Sequence, residues 1–358
     1  MQFSKRFLLA ALSAALYLQQ GPLLAAEFSD VLNTPSAMSQ IAIKAPLNDI
    51  ATAGNRLVAV GLRGHILFSD DAGKTWAQAA VPVSSDLTAV FFASPSEGWA
   101  VGHDGVVLNT KDSGATWTKQ LDGTQTGKLM LDQYTALAAT DPANELFATF
   151  AADAQRMADE GADKPFLDVW FANNKEGYIV GAFGMIFQTK DGGESWFPIN
   201  ERVTNPQALH LNAVTGYGAD GIIVVSEQGL VLRLDQATGV FVPVATPYEG
   251  TYFGVLASKD NLIIYGLRGT AFRSTDGGNT WSKLSIPFSQ AITAATTLET
   301  GHTFLFSQAG HVLLSTDGGA TFSARPQSAL VPISAAVAAD NRALVLVGAR
   351  GVRVFPIE

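Results

Sequence analysis

Cysteine is absent from this chain of 358 residues, and charged residues make up only 15% of it. Without cysteine there are no disulfides, no thiol catalysis and no cysteine-ligated metal sites. Cations are also scarce, since 23 Lys and Arg stand against 32 Asp and Glu. The resulting net charge of −9 argues against nucleic-acid binding, which requires cations that neutralise phosphates, and against broad attachment to anionic lipids.

Long hydrophobic runs are missing too, apart from one short apolar stretch near the N terminus. Residues 1–26 have the pattern of a secretory signal peptide, with Lys5 and Arg6 before apolar residues 7–18 and small residues at 24–26. That stretch is shorter than the roughly 20 residues of a spanning helix, although an uncleaved anchor is the alternative interpretation. Cleavage near Ala26 removes two cations and no anions, which lowers the net charge from −9 to −11. We therefore expect a periplasmic protein.

A motif of eight residues recurs along the chain. It reads SDDAGKTW, TKDSGATW, TKDGGESW, STDGGNTW and STDGGATF. Its aspartates are Asp71, Asp112, Asp191, Asp276 and Asp317, and a decayed copy surrounds Asp235. Each carboxylate is expected to accept backbone N–H groups across its own turn, which is a structural role. Calcium is not expected, because it takes six to eight oxygen ligands and each motif holds one or two acids.

A four-residue turn that ends in glycine precedes each motif copy, and a seventh turn has no motif after it. The seven turns are GLRG, GHDG, GAFG, SEQG, GLRG, SQAG and GARG. Short strands flank them; in the second unit we expect strands at 87–93, 99–102, 106–110 and 116–121. Units of four strands that repeat about every 40 residues are typical of propeller blades. The sequence therefore predicts one all-β domain over 27–358, a seven-bladed β-propeller of four-stranded antiparallel blades.

Two segments depart from this repeat. The seventh unit supplies only three strands, so we expect residues 38–45 to provide its fourth strand and close the ring, because an open edge invites aggregation. Residues 122–164 form an insertion between blades 2 and 3.

The insertion is expected to be helical. Asp141 and Pro142 have the pattern of an N-cap and first helical position, and an apolar stripe follows at helical spacing. The stripe consists of Leu146, Phe147, Phe150, Ala154 and Met157. A second helix is expected at 129–139. Two fates remain open for the stripe, burial on the propeller or partial exposure as a docking surface.

The recurring Asp motifs and the Gly-x-Arg-Gly turns resemble those of the photosystem II assembly and stability factor family, within the wider superfamily of Asp-box (BNR-type) repeat propellers. The resemblance implies a non-enzymatic propeller without cofactors that binds membrane-protein partners. It also implies an exported branch in non-photosynthetic bacteria, often encoded beside RND-type exporters. Arginine stands at only three of the seven turns, and the insertion is additional, so we expect a membrane complex other than a photosystem as partner.

The three turn arginines, Arg63, Arg268 and Arg350, are the predicted partner-binding residues. Because strands of a blade run up and down, these turns share one face with the inter-blade connections and hence with the insertion. Arginines clustered on an acidic protein favour a carboxylate-rich partner. The alternative is that each arginine pairs with a local acid or carbonyl and only seals its turn.

An Asp-box propeller has an enzymatic alternative, a sialidase-like glycoside hydrolase. The three arginines would then act as a triad with Tyr252 or Tyr265 as nucleophile, but the Phe-Arg-Ile-Pro motif of sialidases is absent. His65 and His311 follow glycine at the same repeat position and offer a weak hint of zinc. We assign no catalytic residue and no metal ligand.

Overall fold

Seven antiparallel sheets follow one another along the chain in its computed structural model, which describes residues 29–258, 261–327, 329–340 and 342–357. One compact unit spans Val31–Glu358. The predicted signal peptide lies outside the described residues. The seven-bladed β-propeller with a helical insertion between blades 2 and 3 is confirmed.

The strands of blades 1 to 3 have the following bounds. Blade 1 contains β1 (Leu47–Ala53), β2 (Arg56–Gly61), β3 (Ile66–Ser69) and β4 (Ala77–Gln78). Blade 2 contains β5 (Leu87–Phe92), β6 (Gly98–Gly102), β7 (Val107–Thr110) and β8 (Thr118–Leu121). Blade 3 contains β9 (Phe166–Phe171), β10 (Gly177–Gly181), β11 (Ile186–Thr189) and β12 (Phe197–Pro198).

The remaining blades continue the same order from the axis outward. Blade 4 contains β13 (Leu211–Tyr217), β14 (Gly221–Ser226), β15 (Val231–Asp235) and β16 (Val240–Val244). Blade 5 contains β17 (Tyr252–Ser258), β18 (Asn261–Gly266), β19 (Ala271–Ser274) and β20 (Ser282–Lys283). Blade 6 contains β21 (Ile292–Thr297), β22 (Thr303–Ser307), β23 (Val312–Ser315) and β24 (Ser323–Arg325). Blade 7 contains β25 (Ala335–Asp340), β26 (Ala343–Gly348) and β27 (Gly351–Pro356).

The hydrophobic core lies between neighbouring blades. The second strand of a blade is covered on both faces, so β6, β10 and β22 are buried along their whole length. Their sequences are accordingly nearly continuous apolar runs. The aromatic residue that ends each Asp motif packs toward the preceding blade: Trp117 joins the cluster between blades 1 and 2, and Trp196 the cluster between blades 2 and 3. Burial of such large aromatic side chains adds to the aliphatic packing that holds adjacent blades together.

Polar side chains near the start of the innermost strands add a second link between blades. In four blades such a side chain donates a hydrogen bond to a carbonyl of the following blade. These bonds are Asn48 to Leu87 (2.7 Å), Thr88 to Phe166 (2.7 Å), Asn212 to Tyr252 (2.8 Å) and Thr293 to Ile333 (2.6 Å). The donors sit at or beside a register shift in the inner strand, where a bulge re-aims the side chain.

The predicted ring-closing strand at 38–45 is wrong. The sheet of blade 7 has three strands among the described residues, and residues Ala42–Lys44 form a single 3-10 turn. The reason is a competing attachment to blade 1, where Gln78 of β4 accepts from the Ser39 N–H (2.9 Å) and donates to the Ala37 carbonyl (2.9 Å). The ring closes instead through packing of blade 7 on blade 1, with Ala42 buried between them.

The insertion forms two helices, α1 (Gly123–Thr140) and α2 (Glu145–Glu160). Asp122 caps α1 in a capping box with Gln125, a sequence signal for a helix start. The predicted N-cap at Asp141 is wrong: the Asp141 N–H donates to the Leu137 carbonyl at the end of α1 (3.0 Å), and Asn144 caps α2 instead. Within the described part of the chain, no helix is long and apolar enough to cross a membrane.

Candidate partner-binding face

The turns between the second and third strands of the blades lie against the connections that lead to the next blade. A Cβ atom on Gly64 would lie 2.3 Å from the Val83 carbonyl oxygen, and one on Gly269 would lie 2.3 Å from the Phe288 oxygen. Both glycines have positive φ (68° and 67°), a region that glycine adopts without steric cost. This close approach presses each turn onto its connector and leaves the preceding residue on the rim.

Arg63 and Arg268 are those preceding residues, and both are exposed with φ near +58°. Arg350 holds the same position in the turn between β26 and β27 and is exposed as well. Among the described residues, the three guanidinium groups form no hydrogen bond or ion pair. The turn of Arg63 is sealed through its backbone, since its N–H donates to Asp86 (2.7 Å) and its carbonyl accepts from Ser36 (2.9 Å). The guanidinium groups are therefore not needed to seal their own turns.

Phe183 occupies the same turn position in blade 3, and the sequence analysis did not single it out. Its φ is +56°, a conformation that costs a bulky residue roughly 1–2 kcal/mol, and its side chain is 47% exposed. The Lys164 ammonium lies 5.6 Å from the ring centroid, and the His210 ring meets it edge-on at 5.1 Å. An aromatic side chain thus interrupts the series of turn residues on this face; the GAFG turn was its signal in the sequence.

The helical hairpin is packed onto blades 2 and 3. Met130, Tyr134, Ala154 and Met157 are buried in the cluster that holds these blades together. The Tyr134 hydroxyl accepts from the Asn200 N–H (2.8 Å) and lies 3.1 Å from a carboxylate oxygen of Glu201. Desolvation and the Glu201 charge raise the pKa of this tyrosine. The second half of the predicted apolar stripe, Phe150, Ala154 and Met157, therefore packs on the propeller.

The insertion and the arginine turns share one face, as predicted. A Cβ atom on Gly105, in the turn of blade 2, would lie 2.7 Å from Gly123 at the start of α1, and Lys164, at the end of the insertion, reaches Phe183 in the turn of blade 3. Leu146, at the start of α2, is 48% exposed. This combined surface of turns and insertion is called the turn face below.

The Asp motifs lie on turns between third and fourth strands, away from the turn face. In the first motif, Asp71 accepts from the Thr75 hydroxyl (2.6 Å), the Thr75 N–H (2.8 Å) and the Ser69 hydroxyl (2.9 Å). These bonds, that from the Thr75 hydroxyl above all, lower the pKa of Asp71 to about 2. The same acceptor geometry recurs at Asp112, Asp191, Asp276 and Asp317. These carboxylates are occupied within their own turns.

Two aspartates that the sequence analysis missed, Asp49 and Asp168, line a cavity of about 290 Å³ on the propeller axis. Asp49 accepts from the Val90 N–H (2.8 Å) and Asp168 from the Val214 N–H (2.8 Å), so each ties its blade to the next. Desolvation raises the pKa of Asp49 to about 6 and that of Asp168 to about 7. Both face the cavity and keep some accessible surface, but the strands enclose them. In the sequence, the feature that could have indicated these residues is an acidic residue within an otherwise apolar innermost strand.

The residues of the glycosidase alternative do not meet in one site. Tyr265 lines the axial cavity, with its hydroxyl over Gly254, whereas Tyr252 is fully buried in the cluster between blades 4 and 5. None of the three turn arginines lines the cavity.

The two histidines with a weak zinc signal are separated as well. His65 is buried in blade 1, and His311 of blade 6 stacks on Phe288 at 4.4 Å with Nδ1 2.8 Å from the Ser307 hydroxyl. No group of three His, Cys, Asp or Glu able to hold a metal occurs in the described ranges.

Comparison with known families decides the relationship. The family model described as Photosynthesis system II assembly factor YCF48 matches residues 30–149 and 147–241. The chain belongs to this family. A relative from Synechococcus sp. (strain CC9902), the photosystem II assembly lipoprotein Ycf48, is 24% identical over 258 residues, which cover 66% of this chain and 74% of the relative. The photosystem II stability/assembly factor HCF136 of Arabidopsis thaliana is 24% identical over 259 residues, which cover 63% of each chain.

Solved structures of YCF48 share the fold. One is described as YCF48 bound to D1 peptide; it superposes with a TM-score of 0.64 at 17% identity and covers 93% of this chain and 99% of its own. YCF48 from Cyanidioschyzon merolae gives a TM-score of 0.63 at 15% identity over 90% of this chain and 97% of its own. At these identities the likeness establishes the propeller architecture.

Proposed function

We propose that this chain is a non-catalytic interaction propeller that binds a membrane protein complex and assists its assembly or function. The observation that supports this most directly is the trio of exposed arginines on the turn face, whose guanidinium groups have no partner among the described residues. The YCF48 relatives are assembly factors, and one of them binds a D1 peptide. Guanidinium groups bind carboxylates through charge-assisted, often bidentate hydrogen bonds, so the proposed ligand is an acidic segment of the partner.

The proposed compartment is the periplasm, and the proposed complex is an RND-type exporter. The first rests on the signal pattern of residues 1–26, and the second on the resemblance to exported family members. Mass spectrometry of the protein from a periplasmic extract tests the first, with a new N terminus near Glu27 expected. Co-purification from solubilised membranes tests the second, and an exporter subunit among the captured proteins is expected.

The turn arginines give the main prediction. The variant replaces Arg63, Arg268 and Arg350 by alanine. Capture of the partner from solubilised membranes should weaken, by about 1.5–3 kcal/mol for each charge-assisted hydrogen bond lost, and wild-type capture should decline with added salt. Folding should be unchanged, since exposed substitutions usually shift stability by less than about 0.5 kcal/mol.

A matched control removes three cations from the Asp-motif turns. It replaces Lys74, Lys111 and Lys190 by alanine, all exposed. This control has the same net charge as the arginine variant and should retain capture. Equal loss in both variants would show that net charge alone matters, and unchanged capture by the arginine variant would place the binding surface elsewhere.

The absence of catalysis is proposed as well and has its own assay. Purified protein is expected to hydrolyse no sialoside and no aryl glycoside above background across a pH series. Turnover that disappears on Tyr265→Phe or on replacement of the turn arginines would establish the sialidase-like alternative instead.

A further inference from the structure

The outer edge of blade 7 is open. The Ile357 N–H donates to the Arg342 carbonyl (2.8 Å), and bonded pairs alternate along an antiparallel ladder. Residues 353 and 355 therefore bond inward to β26, which directs the backbone groups of Val352 and Val354 outward. No described residue bonds to these groups. The other six sheets have a fourth strand at this position, so β27 presents a strand edge of six residues.

A groove in the interface between blades 7 and 1 adjoins this edge, since Ile43 and Trp76 pack on the same cluster as Val352 of β27. It has a volume of about 480 Å³ and is lined by apolar Met38, Ile43, Leu67 and Trp76 and by polar Ser39, Gln40 and Gln78. In the preceding interfaces the chain at and after the outer strand fills the equivalent space; after β4, for example, Ala79 and Val81 are buried against blade 2. Beside β27, Ala42 and Ile43 are the residues of the described N-terminal segment that reach this interface, and Val354 and Ile41 remain 46% and 70% exposed.

Four cations lie around the edge, and none of their side chains forms an ion pair with a described residue. The Arg353 guanidinium has a buried Nη2 atom that bonds to nothing in the described chain, and burial lowers its pKa. Arg350 shares with it a smaller pocket of about 240 Å³. Lys44 and Arg342 are exposed nearby, and neither forms an ion pair with a described residue. On a protein of net charge −9, this local excess of cations favours an acidic ligand.

We propose that β27 accepts an extended segment of a protein partner as the fourth strand of blade 7, and that apolar and acidic side chains alternate along this segment. Successive side chains of a strand point to opposite faces of the sheet, so the apolar ones enter the groove at Trp76 while the acidic ones face Arg353. Main-chain bonds to a sheet edge supply affinity, and side-chain pockets supply specificity. The inference rests on the proposed function, in that it gives a partner-binding propeller a second, defined contact.

The test uses labelled eight-residue peptides and the purified full chain. The probe alternates valine and glutamate; the controls replace glutamate by lysine or carry N-methyl groups on the amides that would pair. The glutamate peptide should bind in fluorescence anisotropy, more weakly as salt is added, and should slow amide exchange at Val352 and Val354. Arg353→Gln should weaken binding at least tenfold. Val354→Pro, which removes an outward N–H and no bond to β26, should abolish the exchange protection at Val352.

Several outcomes would overturn this inference. Equal binding of the lysine or N-methylated peptide would exclude strand pairing guided by Arg353. Slow exchange without peptide would show another occupant: a second copy if it depends on protein concentration, or the chain's own N-terminal residues if it vanishes on their removal. A variant with both Arg63 and Arg268 replaced by alanine should bind the glutamate peptide as tightly as wild type does. If no peptide binds while membrane capture still depends on these two arginines, the edge inference is wrong and the proposed function stands.

Discussion

Asp49 and Asp168 hold their protons more tightly than ordinary carboxyl groups, with pKa values raised to about 6 and about 7 by desolvation near the axis. Each still accepts two backbone N–H groups, one from its own strand and one from the next blade. Between about pH 4 and pH 7 these two groups therefore bind more protons in the folded protein than in the unfolded chain. Their contribution to the free energy of unfolding falls as the pH rises through this range.

Replacement of one of these carboxyl groups gives a pH prediction. The stability that these two groups contribute in wild type should decline between pH 5 and pH 7, and Asp168→Asn should remove on the order of 2 kcal/mol of that decline, since a tenfold change in proton affinity is about 1.4 kcal/mol. The lost backbone bond lowers stability at every pH and does not alter the slope. Urea unfolding of wild type and Asp168→Asn at four pH values measures how the free energy of unfolding changes with pH.

Asp235→Asn is the control for this experiment. The Thr238 hydroxyl and nearby N–H groups lower the pKa of Asp235, so this group is already ionised throughout pH 5–8 and its removal should leave the slope unchanged. The motif aspartates, whose pKa values are lowered as well, contribute stability that disappears only at more acid pH. A wild-type slope in Asp168→Asn would mean that the axial carboxyl is ionised in the folded protein.

At the scale of elements, the helical insertion shows how a polar contact positions a whole hairpin. Gly127 of α1 allows close crossing of α2, since a Cβ atom there would lie 2.8 Å from the Ala158 Cα. Tyr134 then fixes the pair to the chain after β12 through the Asn200 N–H. Apolar burial attaches the helical hairpin to blades 2 and 3, and this hydrogen bond determines its position on them. The part of the insertion left for a partner is therefore small and lies near Leu146.

Tyr134→Phe tests the role of that hydrogen bond. The substitution leaves the Asn200 N–H without its acceptor, and the free energy of unfolding should fall by about 1–3 kcal/mol. Amide exchange in α1 and α2 should accelerate more than in the blades. Tyr217→Phe is the matched control, because the Tyr217 hydroxyl has no hydrogen bond among the described residues, and it should change stability little. Equal effects of both substitutions would contradict a positioning role for Tyr134.

At the scale of the whole molecule, the ring is closed by a connector and not by a strand. A Cβ atom on Gly351 would lie 1.9 Å from the Ile43 carbonyl oxygen, just as one on Gly64 would meet Val83. Residues 43–46 thus make the contact that the inter-blade connections make elsewhere. The N-terminal segment joins blade 7 to blade 1 on the turn face and leaves β27 open.

Gly351→Ala should weaken this closure. Its φ of +78° costs alanine about 1 kcal/mol or more, and the clash with backbone at Ile43 should add about 1–3 kcal/mol. Gly239→Ala is the control, since Gly239 has a similar φ of +71° and open space around it. Urea unfolding of the two variants isolates the closure contact. Equal destabilisation would mean that Ile43 yields easily and that closure does not depend on this contact.

The sequence alone determined the architecture, because the Asp motifs and glycine turns repeat at a fixed period and each copy specifies the same local hydrogen bonds. The strands of blade 2 were predicted within two residues for this reason, and both insertion helices followed from their apolar spacing. Helix ends were less well predicted: Asp141 and Asn144 are both good caps, and only the packing of Tyr134 and Gly127 sets where the turn falls.

Tertiary structure decided what depends on contacts distant in sequence. The segment at 38–45 lies just before the first blade, where a closing strand was expected, but Gln78 lies 39 residues from Ser39 and holds it to blade 1. Asp49 and Asp168 look like ordinary polar residues until the ring encloses them and raises their pKa. The sequence repeat predicts that the turn arginines occupy equivalent positions. Only the folded structure shows that their guanidinium groups form no hydrogen bond or ion pair with a described residue.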